Sequence, residues 1–199
     1  MTGLIAGLAG ISMAGGGSGS AAAGAGSGSA KAAGGGSGSA APAAMEMPKA
    51  PQELLDMQKK MVGTWKCTGK VGGPSGQMRD TSGNLTFSVD LDKWWIKASL
   101  TETKTKTPYK FESFVTYDTA SKKWANVSID NVGGYRVLTS DGMKDNAVTW
   151  TGTATAMGKS VQVKSVHTMV NDKDNKIDES ISMDNGKTWM PTVAVECKK

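Results

Sequence analysis

From residue 64 to residue 197 the chain alternates between short segments rich in Val, Ile, Thr, Trp and Tyr and turns rich in Gly, Asp, Asn, Ser and Lys. This alternation is typical of antiparallel strands joined by short connections. We count about ten such segments, centred on 64–71, 82–90, 94–103, 109–117, 123–129, 134–139, 146–153, 160–170, 176–183 and 189–197. No stretch between them has the length of a helix, so the sequence predicts an all-β domain.

Inside several of these segments the side chains alternate with a period of two. One example is the series Val161, Val163, Ser165 and His167. A period of two predicts strands with one buried face and one solvated face. About ten antiparallel strands in an open sheet would leave two unpaired edges, and closing the sheet on itself removes both. The sequence therefore predicts a closed antiparallel up-and-down β-barrel of about ten strands.

The two cysteines lie in the first and the last predicted strand. In a closed barrel with an even number of strands these two strands are antiparallel neighbours. Cys67, near the start of the first, then lies opposite Cys197, near the end of the last. We predict a disulfide across this seam, which requires an oxidising compartment. The sequence leaves open the alternative of two unrelated buried thiols.

A short helix is predicted before the first strand. The segment 50–63, APQELLDMQKKMVG, has Pro51 near the first helical position, an acid in the first turn, lysines in the last turn and a glycine beyond the end. Leu54, Met57 and Met61 fall on one apolar stripe. Such a stripe predicts a helix that lies across one end of the barrel.

The composition changes abruptly before this helix. Residues 1–45 contain no acid, aromatic residue or cysteine, whereas all 18 acidic residues and all six tryptophans follow. Residues 3–14 form an apolar run typical of a signal peptide, but no basic residue precedes it. Either the true start lies upstream of Met1, which we favour and which makes 1–14 a truncated signal, or the segment is not an export signal. Residues 15–47 are rich in Gly, Ser and Ala and are predicted to be a disordered linker, either a selected spacer or a low-complexity expansion. Residues 48–199 form the predicted barrel domain.

Several motifs of this domain together resemble a known family. They are GTWKCTG at 63–69, YDTASKKW at 117–124, DNVGGY at 130–135, WTG at 150–152 and DNGKTW at 184–189, followed by a terminal ECKK. The combination resembles a family of small exported bacterial proteins known as domain of unknown function 1579. Its G-x-W opening is similar to that of lipocalins and other calycin barrels, in which the tryptophan packs across the closed end. The resemblance implies a calycin-like barrel exported to the periplasm or the cell exterior, and it implies no reaction or ligand.

The charge and the motifs of the domain argue against several classes of function. Of the 23 basic side chains only Lys31 precedes residue 46, so the domain carries 22 basic and 18 acidic side chains, interspersed and with only two arginines. A nucleic-acid partner is therefore not expected. With a single histidine and no G-x-S-x-G elbow, no catalytic set, metal site or cofactor is predicted, and no segment has the length of a transmembrane helix. Ligation of haem iron by His167 is an alternative to the favoured hydrogen-bonded core position.

Aromatic and polar side chains on the expected inner face predict a cavity with a ligand. The ligand-binding candidates are Trp65, Tyr135, Trp150, His167 and Glu179. Ser113, Thr149 and Ser165 are also expected inside, which makes the lining partly polar. Glu179 alternates with two isoleucines and is expected to pair with a lysine or to hold a ligand.

Two hypotheses of function follow, and a third, an enzyme, stays open because acidic residues that could form a glycosidase carboxylate pair occur throughout the domain. The first is a non-enzymatic exported barrel that binds a small, partly apolar molecule. The second is a structural or protein-interaction module of the cell envelope, displayed on the linker. Its outer surface would carry an exposed aromatic patch at Trp95, Trp124 or Phe114. The identity of the ligand and the oligomeric state are not predicted.

Overall fold

The computed structural model of the protein describes residues 47–72, 76–156 and 158–199. The predicted signal segment, 1–14, and nearly all of the predicted linker, 15–47, lie outside the described residues. The elements, in chain order, are α1 Gln52–Met61, β1 Gly63–Gly72, β2 Met78–Asp90, a 3-10 turn Leu91–Lys93, β3 Trp95–Glu102, β4 Lys110–Asp118, β5 Lys123–Asp130, β6 Tyr135–Ser140, β7 Met143–Lys144, β8 Ala147–Ala156, β9 Lys159–Asn171, β10 Asp174–Ser182 and β11 Met190–Lys198.

The strands form one closed antiparallel sheet. Consecutive strands pair from β1 to β6, β6 pairs with β8, the pairing continues in order to β11, and β11 returns to β1. β7 is a two-residue strand that pairs only with the start of β8. The predicted closed barrel of about ten strands is confirmed, with β7 as a small addition that the sequence did not indicate.

A disulfide crosses the seam between β1 and β11. The register places Cys67 directly opposite Cys197. Their sulfur atoms are bonded at 2.02 Å, and the two cysteines are separated by 130 residues in the chain. The predicted disulfide is confirmed, and it joins the first strand of the barrel to the last.

Helix α1 packs against the end of the barrel where β2 turns into β3. Leu54 is fully buried. The side chain of Gln58 donates a 2.7 Å hydrogen bond to the backbone oxygen of Lys93 in that turn. Trp65 Nε1 donates a 2.9 Å hydrogen bond to the backbone oxygen of Met61, the last helical residue. The predicted helix is confirmed; among the described residues, no helix has the length and apolar character needed to cross a bilayer.

Buried apolar side chains on the inner face form two clusters. The first joins the helix to the strands and consists of Leu54, Ile96, Trp124, Leu138, Val148, Trp150, Val161, Val163 and Ile181. The second surrounds the disulfide and consists of Trp65, Cys67, Leu85, Ala98, Val195 and Cys197. Each large aliphatic or aromatic side chain buried in this way stabilises the fold by about 1.5–3 kcal/mol.

Besides Tyr135, which is predicted inside but lies on the outer face of β6, two further side chains point away from the face that the sequence predicts for them. Trp124, expected on the outer surface, is only 7% exposed and belongs to the first cluster. In β5 it shares the inward parity of Asn126, whose side chain lines the interior. Thr149, expected inside, is exposed because Val148 and Trp150 occupy the inward positions on either side. Both predictions are therefore wrong.

Candidate functional site

The barrel encloses a cavity of about 560 Å³. Its apolar lining includes Met57, Met61, Ile96, Trp124, Trp150 and Val163. Its polar lining includes Arg79, Glu102, Tyr109, Asp130, Arg136, His167, Asn175 and Glu179. A volume of this size, with a largely apolar wall and a few convergent polar groups, suits a small organic molecule.

An ion pair between Arg136 and Glu179 crosses the cavity. Arg136 Nη1 lies 2.6 Å from Glu179 Oε2, and the two side chains are 22% and 13% exposed. The guanidinium carbon lies 5.6 Å from the centre of the Phe111 ring. Burial works to lower the pKa of Arg136, but the charges around it, that of Glu179 foremost, outweigh burial and raise the pKa. The sequence predicts a lysine partner or a ligand for Glu179, and the structure supplies an arginine instead.

Tyr109 and Asp130 continue the polar wall beside Arg136. The hydroxyl of Tyr109 donates a 3.1 Å hydrogen bond to Asp130 Oδ2. Asp130 Oδ1 accepts hydrogen bonds from the backbone N–H groups of Val132 and Gly134, at 3.0 and 2.7 Å, in the turn that follows β5. Burial raises the pKa of Tyr109, so its phenol is neutral at neutral pH.

A second ion pair joins Arg79 on β2 to Glu102 on β3. Arg79 Nη2 lies 2.8 Å from Glu102 Oε1. The Thr81 hydroxyl donates a 2.7 Å hydrogen bond to the same oxygen, and the Tyr109 backbone N–H donates one of 3.1 Å to Oε2. Burial alone would raise the pKa of Glu102, but these hydrogen bonds and Arg79 together lower it. Glu102 is therefore a buried carboxylate whose oxygens are both occupied.

His167 points into the cavity from β9, and its Nε2 lies 3.1 Å from Ser165 Oγ. Burial, and to a smaller extent the charge of Arg136, lower the pKa of His167 to about 4, so the imidazole is neutral at neutral pH. A serine beside a histidine is one element of a nucleophilic site. Among the described residues, however, no carboxylate hydrogen-bonds the histidine, and no three His, Cys, Asp or Glu side chains come together to hold a metal ion.

Two further amides belong to the cavity lining. Asn126 Oδ1 accepts hydrogen bonds from the hydroxyls of Ser113 and Ser128, at 2.8 and 2.9 Å. Asn175 is only 3% exposed, and its Oδ1 accepts no hydrogen bond from the part of the chain that the structure describes. A buried acceptor of this kind is costly unless a water molecule or a ligand donates to it.

The structure brings three of the five predicted ligand-binding candidates together. Trp150, His167 and Glu179 all line the cavity. Trp65 is buried against the helix end and is not among the described residues that line the cavity. Tyr135 is exposed and borders the cavity only at its rim. The inward position beside it belongs to Arg136.

The sequence did not identify the charged groups that accompany Glu179. Arg136, Asp130, Tyr109, Arg79 and Glu102 were all missed. One signal was available: an acid on a buried face needs a cation, and the domain has only two arginines. Since arginine is the usual partner in buried ion pairs, Arg136 and Arg79 were the side chains to consider.

Comparisons with known proteins show a similar fold and a family, but they assign no activity. The crystal structure of Rv2717c from M. tuberculosis is similar, with a TM-score of 0.56 and 9% sequence identity, over 76% of this chain and 99% of that chain. At this identity the likeness shows the fold alone. No curated protein matches the chain. Residues 48–199 match the family described as "Protein of unknown function (DUF1579)", so the resemblance predicted from the motifs is confirmed and the chain belongs to the DUF1579 family.

Proposed function

We propose that this protein is a non-enzymatic, exported barrel that binds a small, partly apolar molecule in its cavity. The observation that carries the proposal is the cavity of about 560 Å³ inside the barrel, lined both by apolar side chains and by the Arg136–Glu179 pair. An amphiphilic ligand fits such a wall, because its apolar part gains from burial while its polar end finds hydrogen-bonding partners. Trp150 and His167 would contact the ligand beside this pair.

Binding is favoured over catalysis by the state of the polar groups. Arg136 is held by Glu179, and Arg79 by Glu102, so these groups are ordered in advance for recognition. His167 lies beside the hydroxyl of Ser165, and its pKa of about 4 makes it a weak base at neutral pH. Glu102 lies beside the hydroxyl of Thr81, but its carboxylate is occupied by Arg79. The described part of the cavity therefore supports recognition better than proton transfer.

The disulfide supports export. Disulfides such as Cys67–Cys197 persist in oxidising compartments and are rare in the cytosol. Fractionation of the host cells, followed by thiol labelling of the unreduced protein, tests this part of the proposal. We expect the protein in the periplasm or the medium with no reactive thiol. Protein found in the cytoplasm with two free thiols would contradict export.

Native mass spectrometry of protein purified from its host tests ligand binding. We expect a bound small molecule, whose release changes the fluorescence of the cavity tryptophans. Ala154→Phe, which fills the cavity from β8, should abolish the extra mass. Thr153→Phe adds the same ring at the neighbouring exposed position and should retain it. No bound mass, and no fluorescence response to any apolar probe, would refute the proposal.

A second function, a protein-interaction module of the cell envelope, is favoured by an apolar patch on the outer face of β5 and β6. Val127 lies opposite Val137, and Ile129 lies opposite Tyr135. The four residues are between 38% and 56% exposed. Exposed apolar patches of neighbouring residues mark interaction sites. Of the three aromatic residues that the sequence predicts for such a patch, Trp124 is buried, whereas Phe114 on β4 lies opposite Val127 and borders the patch.

Cross-linking in host cells distinguishes this second function. The double variant Ile129→Lys with Val137→Lys should lose any cross-linked partner, because two charges interrupt the apolar patch. The matched control, Thr68→Lys with Thr86→Lys, places the same charges on exposed positions of β1 and β2 and should keep the partner. An unchanged cross-linking pattern in both variants would rule out this patch as the interface.

A further inference from the structure

The cavity carries a net negative charge. Its ionised side chains within the described residues are Arg79, Arg136, Glu102, Asp130 and Glu179. Two guanidinium groups face three carboxylates, which leaves one negative charge in excess. The other titratable side chains do not offset it, because His167 and Tyr109 are neutral at neutral pH. Glu102, Glu179 and Arg136 are largely shielded from water, which strengthens their charges, whereas the Arg79 side chain is 58% exposed and its charge is screened most.

Both cations of the cavity are already engaged by carboxylates of the chain. Arg79 is bound by Glu102 at 2.8 Å and Arg136 by Glu179 at 2.6 Å. Asp130 adds a second negative charge close enough to Arg136 to raise its pKa. Arg136 donates to Glu179 through Nη1, and an anionic ligand that accepted from its other N–H groups would lie beside the negative charges of Glu179 and Asp130 and add to them. The cavity therefore disfavours anions.

The same wall has hydrogen-bond acceptors to spare. Within the described residues, the carboxylate of Glu179 accepts a side-chain hydrogen bond only from Arg136, although a carboxylate can accept about four. Asn175 Oδ1 is buried and accepts none from the described part of the chain. Acceptors left in this way select a ligand that donates hydrogen bonds, because a ligand without donors would keep them unpaired.

We infer, on the basis of the proposed function, that the ligand is an uncharged or cationic amphiphile whose polar end donates hydrogen bonds to Glu179. The chemical class is an aliphatic alcohol or amine, and a carboxylate of the same chain length is discriminated against. Glu179 thus determines the charge of the ligand that the barrel accepts, while Arg136 holds that carboxylate in place across the cavity.

Three probes of equal chain length test this inference: decan-1-ol, decylamine and decanoate, each below its aggregation concentration at pH 7. Binding to the purified, delipidated full chain is followed by tryptophan fluorescence and by native mass spectrometry. We expect the alcohol or the amine to bind at least ten-fold more tightly than decanoate. Tighter binding of decanoate would overturn the inference while leaving the proposed function standing, whereas binding of none of the three would overturn both.

Variants make the test specific to Glu179. Glu179→Gln removes the negative charge and leaves Arg136 without its carboxylate, so we expect decanoate affinity to rise at least ten-fold. Glu196→Gln, at an exposed outward position of β11, removes the same charge from the protein and should change nothing. If Glu179→Gln does not fold, Asp130→Asn removes one negative charge from the cavity in its place. If the folded cavity variant binds decanoate no more tightly than Glu196→Gln does, the inference is overturned.

Discussion

Arg136 on β6 and Glu179 on β10 meet at 2.6 Å although β8 and β9 lie between their strands in the sheet. The contact therefore runs across the interior of the barrel and not along its wall. Removing one partner leaves the other charge buried without compensation, which costs far more than removing both.

Arg136→Met is expected to lower the free energy of unfolding by about 3 kcal/mol, because Glu179 would keep an unpaired charge in the cavity. The double variant Arg136→Met with Glu179→Met should recover most of this loss, since two apolar side chains then replace the pair. Urea unfolding at pH 7 measures both. Lys123→Met breaks an exposed ion pair with Asp141 and should cost less than about 1 kcal/mol. A double variant as unstable as the single one would contradict the prediction.

Loss of the seam disulfide is expected to lower the free energy of unfolding by about 2–4 kcal/mol, because the bond constrains an unfolded chain over a long loop. The double variant Cys67→Ala with Cys197→Ala should show this loss in urea unfolding. Dithiothreitol should produce a similar loss in the wild type and none in the double variant. Equal stability of oxidised and reduced wild type would refute this role for the bond.

His167 is expected to make the protein less stable in mild acid. Its pKa is about 4 in the folded state against about 6.5 in an unfolded chain, so the unfolded state binds the extra proton between these values. The free energy of unfolding is unaffected by this proton above pH 6.5. It falls as the pH drops from 6.5 toward 4, by roughly 3 kcal/mol in total.

The variant His167→Gln, which has no titrating imidazole, isolates this effect. His167 is the only histidine of the chain, so the difference between the two pH profiles belongs to this residue. The unfolding free energy of the variant should fall less steeply than that of the wild type from pH 6.5 to 4. Parallel profiles would show that the imidazole is not buried in the neutral form.

Gly152 is expected to tolerate no side chain. A Cβ at this position of β8 would overlap the backbone oxygen of Val137 and press on Leu138 Cα, both on β6. Since the clash is with the backbone, Gly152→Ala should destabilise the barrel by about 1–3 kcal/mol. Thermal unfolding should show a lower Tm, whereas Thr151→Ala at the exposed neighbour should change stability by less than about 0.5 kcal/mol. A Tm equal to that of the wild type would contradict the close approach.

The strands and their closure could be predicted because their signals are local. Period-two alternation and turn residues define each strand, and an even number of strands makes the strands of Cys67 and Cys197 antiparallel neighbours. The same alternation correctly turned His167 and Glu179 inward. These predictions needed no knowledge of how distant side chains pack.

The polar wall of the cavity could not be predicted in this way, and β6 shows the reason. Its outward residues, Tyr135 and Val137, are apolar, while its inward side begins with Arg136. Hydropathy therefore selects the wrong face of the strand. The burial of Arg136 makes sense only with Glu179, which lies 43 residues away in the chain. The volume of the cavity likewise depends on how large side chains from many strands pack together.

The seam between β1 and β11 also determines when the barrel can be completed. Cys67 is synthesised 130 residues before its partner, so β1 keeps one unpaired edge until β11 has emerged from the ribosome. The Cys67–Cys197 bond then fixes the closed seam covalently, a step that needs an oxidant and can follow only after the last strand has paired with the first.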